Sequence, residues 1–311
     1  MKFEVLKKSC EGLELLEIKN TISGEYINIV PHYGGAINEV VLKKGEKLYS
    51  VHKSAKNLKE FEEVSIPLYS GTFLAPFPNR IKNGHYRFDG IDYQLELSDV
   101  GLPNAIHGFM YKHPFTLQSF NKNTGEVVME AEFTGDKGYP FKLNFTNTYK
   151  LEEGRLSVKS SVKNVNGKNI PFGMGWHPYI STGTDIDLMK LRIPGTSMFE
   201  QDKNSIPTGN ILENSKFQDF NDISTQSMDD CYKLEGNSTH LLDPVKDLEI
   251  IIEQQMGNKA FNYGMYFIPS SRDCIAIEPM TLPPNGFNSV NGLATLKTDE
   301  TIEAQFSIKL V

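Results

Sequence analysis

Four short segments concentrate rare polar side chains in stretches that are otherwise rigid and apolar: Pro76-Phe-Pro-Asn79-Arg80-Ile81, Asn104-Ala-Ile-His107-Gly108-Phe109, Gly173-Met-Gly-Trp176-His177-Pro178-Tyr179 and Ile277-Glu278-Pro279-Met280. Glu278 closes the apolar run Cys274-Ile-Ala-Ile277, which reads as a buried strand, and Pro279 ends that strand. A carboxylate placed there is partly desolvated, which raises its pKa toward a value useful to a general base. The alternative is a buried salt bridge, with Arg80 as partner. Arg80 is one of five arginines in a lysine-rich chain, so a forked donor beside Pro78-Asn79 suggests planar recognition or a structural clamp. Trp176, the only tryptophan, stands beside His177, a combination that suits the apolar side of a sugar ring; otherwise His177 is a hydrogen-bonded core histidine. Gly108 lets the backbone after His107 approach something closely, or serves a bulge. Asp229-Asp230 ahead of Cys231-Tyr232 offers acceptors for hydroxyl groups, or caps a turn. Together, two histidines, an arginine, an aspartate and a glutamate suit reversible proton transfer on a polyhydroxylated ligand, with no metal or cofactor required. His107 and His113 could meet at a metal, but no histidine or cysteine spacing resembles a ligand set.

The elements that must position these residues are strands. Tyr86 to Leu97 alternates apolar and polar residues on both sides of Asp89-Gly90, the strongest short hairpin signal, because a type I′ turn needs positive φ twice. Leu143, Phe145, Tyr149 and Leu151 alternate up to Glu152-Glu153-Gly154, and Leu156, Val158 and Val162 continue beyond it, which predicts a second hairpin. Similar patterns recur at 125–133, 248–252 and 304–311. Helical spacing is confined to Leu58, Phe61 and Val64, one short helix. No low-complexity linker and no repeat of 20 to 50 residues appears. The expected architecture is one large all-β antiparallel domain of packed sheets over residues 1–311, whose sheets offer a concave face.

Composition narrows the function classes. A 311-residue chain that is 39% hydrophobic and 23% charged is globular, and a net charge of −7 argues against a nucleic-acid or anionic-membrane partner. Cys10, Cys231 and Cys274 are an odd set without C-x-x-C spacing, which indicates neither a disulfide framework nor a cysteine zinc site. There is no apolar run of 18 residues, and charges at Glu4, Lys7 and Lys8 fall where a signal peptide needs its apolar stretch, so the expected address is the cytoplasm. Absence of G-x-G-x-x-G, Walker A, H-E-x-x-H and G-x-S-x-G motifs lowers the case for nucleotide, nicotinamide and zinc-protease chemistry.

In this order the segments resemble the aldose 1-epimerase, or galactose mutarotase, family in a divergent bacterial branch. Pro78-Asn79-Arg80-Ile81 followed by Gly84-x-Tyr-x-Phe-Asp89-Gly90-x-x-Tyr93-x-Leu95 is similar to that family's N-R-I-x-x-G-x-F-x-x-D-G-x-x-Y-x-L block. Asn104-x-x-His107-Gly108, Gly138-Tyr139-Pro140, Trp176-His177-Pro178-Tyr179, Asp229 with Tyr232, and Glu278 with Pro284 and Asn288 follow, so the likeness runs from about Gly34 to the C-terminus. It implies a large antiparallel β-supersandwich and interconversion of the α and β anomers of an aldose without a cofactor. In the implied mechanism Glu278 takes the proton of the anomeric hydroxyl and His177 protonates the ring oxygen. His107 is implied near the ring oxygen, Arg80 and Asp229 as hydroxyl-binding residues, and Asn79 as their neighbour; Asp230 is an alternative to Asp229.

Two positions depart from the family pattern. Phe109 stands where many members have a second glycine, and Trp176 where an asparagine is usual. Both are expected to shape the pocket rim and bind or exclude sugars, unless strand alternation turns them into the core. The expected partner is a small-molecule sugar, with the chain a monomer or homodimer. A glycoside hydrolase pairing Glu278 with Asp229, a sugar-sensing module and a hexose-phosphate epimerase are the competing classes, the last needing a cationic pocket that five arginines do not obviously supply.

Overall fold

The Asp89-Gly90 pair turns the chain between the strands His85–Phe88 and Ile91–Gln94, with φ of 50° and 79° at the two turn residues, as a type I′ turn requires. The longer hairpin forms too. Leu143–Glu152 pairs with Arg155–Asn164 over its whole length, and the inward set Leu143, Phe145, Tyr149 and Leu151 is fully buried while its neighbours stay partly in solvent. In this computed structural model, which describes residues 2–289 and 295–311, three large antiparallel sheets carry the fold. The predicted helix is there as two short turns, Leu58–Glu60 and Phe61–Ser65, pinned by the Asn57 cap and the buried Phe61 ring. Among the described residues no helix is long and apolar enough to cross a membrane.

The N-terminal sheet is a five-stranded meander from Phe3–Cys10 to Lys47–Ser50. A nine-stranded sheet is centred on Arg155–Asn164, Thr301–Leu310 and Leu248–Gln254, bringing distant parts of the chain side by side. The eight-stranded sheet holds the chemistry-bearing segments. Its middle strands run Asp229–Lys233, Tyr263–Phe267, Ile275–Met280 and then Gly175–Trp176, with Tyr179–Ile180 also pairing with Ile275–Met280. Ile275–Met280 is buried at every position, with strands on both edges, and it runs on through Pro279, opposite Gly264, to Met280, so the expectation that Pro279 ends the strand is corrected.

Trp176 is fully buried between the eight- and nine-stranded sheets. Its ring lies 5.2 Å from Phe73, 5.8 Å from Phe306 and 6.1 Å from Tyr149, and its Nε1 donates to Ser160 Oγ at 3.0 Å. The expectation that it shapes a sugar-binding rim is therefore corrected. Adjacent residues on a strand face opposite ways, so a pocket-facing His177 sends Trp176 into the core. Phe109 is corrected for a different reason: it sits half-buried in a bend two residues past His107, outside the cavity lining, stacked on Phe133 at 5.7 Å and edge-on to Phe77 at 6.3 Å. Replacing Trp176 with Ala should cost about 3–5 kcal/mol of unfolding free energy without changing relative kcat/KM among sugars. Denaturant unfolding together with substrate profiling checks both halves.

Candidate active site

The site is built on the eight-stranded sheet, on the face opposite Trp176. Gly175 pairs with Met280 and Tyr179 with Ala276, and this shared register sets His177 directly across from Glu278. His177 Nε2 stands 3.3 Å from Glu278 Oε1, with both side chains almost wholly buried. The main chain of His177 is clamped: its N–H donates to Thr72 O at 3.1 Å and its carbonyl accepts from Gly71 N–H at 2.8 Å. Its ring stacks on Tyr179 at 4.9 Å, and Tyr179 N–H in turn donates to His52 Nε2 at 3.3 Å.

His107 enters from the loop above. Its φ of 60° aims the ring back over the sheet, and the next residue must be glycine: a Cβ on Gly108 would lie 2.2 Å from Ala75 O. The close-approach reading of Gly108 thus holds. Asn79 N–H donates to His107 Nδ1 at 3.1 Å and Asn79 O accepts from His107 N–H at 3.0 Å, so neutral His107 carries its proton on Nε2. The His107 ring lies 5.4 Å from that of His177 and 4.5 Å from that of Tyr69. Asn79 Oδ1 accepts from Arg80 N–H at 2.8 Å.

Arg80 does not bridge to Glu278. Its Nε donates to Asp99 Oδ2 at 2.9 Å, and its Nη1 lies 3.5 Å from Asp229 Oδ2. These groups, with Tyr69, Tyr179 and Phe267, line a cavity of about 220 Å³. That is below the ~300–1,000 Å³ of clefts for drug-sized ligands, which limits it to a smaller molecule. A larger groove of about 700 Å³ lies elsewhere, along Lys7, Lys8, Leu16 and Phe115; its lining residues form a largely exposed His32–Glu14 pair, and Lys8 pairs with Glu17. Chemistry belongs with the smaller one. Of the adjacent aspartates, Asp229 faces this cavity and Asp230 does not.

The sequence reading therefore brings together Asn79, Arg80, His107, His177, Asp229 and Glu278, and misplaces Trp176 and Phe109. It missed Asp99, whose only signal was an acidic residue in a turn five positions before Asn104. It also missed Tyr69 and His52, for which no local signal exists. His107, His177 and Glu278 offer donor atoms all within 4.8 Å of one another, a constellation able to hold a divalent ion; separations of this length along the chain leave no spacing motif. His113 is not part of it, its Nε2 lying 2.9 Å from the Glu132 carbonyl.

Burial governs the protons. It pushes His177 down to about 3 and His107 well below the ordinary imidazole range, the latter helped by the His177 and Arg80 charges. It lifts Glu278 well above the ordinary carboxyl range, with Asp229 adding to the rise and Arg80 opposing it. Both shifts favour the uncharged form, and one proton held on the carboxyl leaves both groups neutral. Glu278 Oε2 and His177 Nδ1 are buried without partners, as expected of groups kept for a ligand.

A family model described as aldose 1-epimerase matches residues 15–309 of the chain. The uncharacterized protein YihR of Escherichia coli (strain K12) is 26% identical over 315 residues, covering 98% of this chain and 96% of its own. Human galactose mutarotase is 24% identical over 155 residues, 46% of this chain and 42% of that protein. Among solved structures, a galactose mutarotase-like protein from Clostridium acetobutylicum superposes with a TM-score of 0.85 at 18% identity, over 100% of this chain and 99% of that one. Galactose 1-epimerase from Lactobacillus acidophilus NCFM gives 0.82 at 18% identity, with 100% and 99% covered. At such identities the two structures establish a shared fold.

The proton inventory sets a pH dependence. Activity should stay level through pH 6.5, where a free imidazole titrates, falling in acid only toward the lowered His177 value and in alkali as Glu278 ionises. Stability follows linkage. Buried neutral His52, His107 and His177 contribute stability present above about 6.5, the unfolded value, and lost as pH falls through the window below it. Glu278, raised on folding, contributes stability present below about 4.3 and lost as pH rises toward its folded value. A kcat/KM–pH profile and unfolding curves at several pH values check these directions; a midpoint at 6.5 in the profile contradicts the neutral buried pair.

Proposed function

Because the chain belongs to the aldose 1-epimerase family, we propose that it interconverts the α and β anomers of a free aldose by acid–base opening and closing of the sugar ring. The observation that carries this reading is the 3.3 Å approach of His177 Nε2 to Glu278 Oε1, two buried groups beside a cavity of about 220 Å³.

The proton cycle follows from that inventory. As the sugar binds, Glu278 passes its proton to His177, leaving a carboxylate beside the C1 hydroxyl and an imidazolium beside the ring oxygen. Glu278 takes the hydroxyl proton, the C1–O5 bond breaks, C1 becomes a carbonyl carbon, and His177 delivers its proton to O5. The open-chain complex then has the same protonation as the resting pair: a neutral carboxyl and a neutral imidazole. Rotation about C1–C2 presents the other carbonyl face, and closure reverses both transfers. His107, its Nε2–H directed at the cavity, donates to an oxygen of the ring, while Arg80 and Asp229 hold ring hydroxyls. Asn79 acts through His107 and Arg80, both of which it hydrogen-bonds.

Polarimetry of freshly dissolved α-aldoses tests the activity directly: optical rotation should relax faster with the protein than without it. The Glu278→Gln variant keeps the shape but not the base, so kcat should fall by about 10²–10⁴-fold with sugar affinity nearly retained. A wild-type rate in this variant removes Glu278 from the mechanism. Mutarotation should also persist after exhaustive chelation; loss that a divalent ion restores would recast His107, His177 and Glu278 as metal ligands.

A further inference from the structure

Arg80 is the only Lys or Arg side chain lining the cavity among the described residues, and it is already paired twice. Asp99 Oδ2 accepts from Arg80 Nε at 2.9 Å and from Asn104 Nδ2 at 3.2 Å. Asp99 is itself fixed by a turn in which Ser98 N–H and Asp99 N–H both donate to Asn104 O, at 3.0 and 3.1 Å. Arg80 and Asn104 lie on two strands paired with each other, Arg80 opposite Ile106 and Asn104 opposite Lys82. The acid is thus held by both strands and grips the edge of the guanidinium, leaving the Nη side directed at the cavity. The side chains of Arg80 and Asp99 are 12% and 8% exposed, so water screens their attraction little. Asp229 Oδ2, at 3.5 Å from Nη1, supplies the second negative charge.

Arg80 faces two carboxylates, Asp99 and Asp229. Burial raises the Asp229 carboxyl above its ordinary range, the adjacent Arg80 charge opposes that rise and Asp99 adds to it, and the Asp229 side chain is 39% exposed. Five further titratable groups line the cavity, and two of them, the Tyr69 and Tyr179 hydroxyls, are held protonated by burial, which raises both. Burial favours the neutral forms of the other three, lowering His107 and His177 and raising Glu278. The cavity is net negative even though its most prominent donor is an arginine.

We propose that Asp99 is a positioning residue for Arg80, and that its charge, added to that of Asp229, makes the site select uncharged aldoses over sugars carrying a carboxylate or phosphate. This rests on the sugar-epimerase reading of the same cavity. Arg80 then serves as a planar hydrogen-bond donor to hydroxyls, with its Coulombic pull on anions cancelled. A purely structural Asp99 clamps the loop but leaves ligand charge without effect, which is the difference the experiment reads.

The test compares Asp99→Asn with wild type by calorimetric titration of D-galactose and D-galacturonate, which differ only by oxidation at C6, alongside polarimetric kinetics. Wild type should bind the uronate at least tenfold more weakly than the hexose. Asp99→Asn removes one charge while keeping an acceptor for Nε, so the ratio of the two affinities should move by about tenfold toward the uronate. The KM for the neutral sugar should rise several-fold with kcat changed much less, because Arg80 binds and does not transfer protons. Asp99→Glu, which restores the charge, should restore most of the discrimination. Equal weakening for both ligands, or an unchanged ratio and KM, overturns the proposal. Should Asp99→Asn fail to fold, wild type binding the uronate as tightly as the hexose overturns it alone. Calorimetry needs no turnover, so hexose binding without mutarotation sinks the epimerase reading and leaves the Asp99 inference standing, while binding of neither ligand removes both.

Discussion

Everything at the site depends on the register between two short strand pieces and Ile275–Met280. The bridges Gly175–Met280 and Tyr179–Ala276 bracket three residues on each side, and only this pairing sets His177 across from Glu278. A slip of one residue would present Trp176 or Pro178 to the carboxyl and turn every side chain to the wrong face. Two anchors prevent it. Trp176, immediately before the histidine, is locked into the core by Phe73, Tyr149, Phe306 and the hydrogen bond to Ser160. Tyr179, two residues after it, is held by His52. The core of the sandwich and the chemistry on its outer face are thus two sides of one strand segment.

The same alternation explains how far the sequence could be read. Hairpins with Asp-Gly or Glu-Gly turns and period-two patterns were legible because local backbone preference and one-sided burial write directly into residue order, as at 86–97 and 143–162. Glu278 was legible because a lone carboxylate ending an apolar run has few bland explanations. Trp176 went wrong because adjacency in the chain was weighed above strand geometry, which sends neighbours to opposite faces; Phe109 went wrong because it lies in a bend whose direction no local pattern records. Asp99 left only the faint signal of an acid in a turn, and His52 left none. Each matters through a contact made by folding: Asp99 with Arg80, 19 residues away, and His52 with Tyr179, 127 residues away.

The site is also where the molecule leaves its own rules unsatisfied. Burying a carboxyl and three imidazoles costs solvation, and Glu278 Oε2 and His177 Nδ1 find no partner in return. A core selected for stability alone would place apolar side chains there. Only a neutral pair can be buried so deeply, because an isolated ionised carboxylate would force its proton balance to change. The burial that destabilises the charged forms therefore also ensures that the proton is available for transfer once a polar ligand replaces the missing solvation.

The backbone around the cavity carries a parallel cost. Tyr69, Asn79 and His107, all lining it, adopt φ of 56°, 55° and 60°, in the left-handed region that side chains larger than glycine seldom occupy. Asparagine tolerates this conformation readily; tyrosine and histidine do so at an expense set against surrounding contacts. Those contacts are visible. His107 is held by reciprocal hydrogen bonds with Asn79, and Gly108 lies against Ala75 where no other residue fits. Tyr69 is wedged between the rings of His107 and Tyr111. Left-handed backbone at these points reverses the chain sharply enough to lay two aromatic rings over a sheet from loops, so the cavity is enclosed by residues far from Glu278 in sequence. Rigid strands thus supply the buried His177–Glu278 pair, and strained loops supply the rings that close the cavity over it.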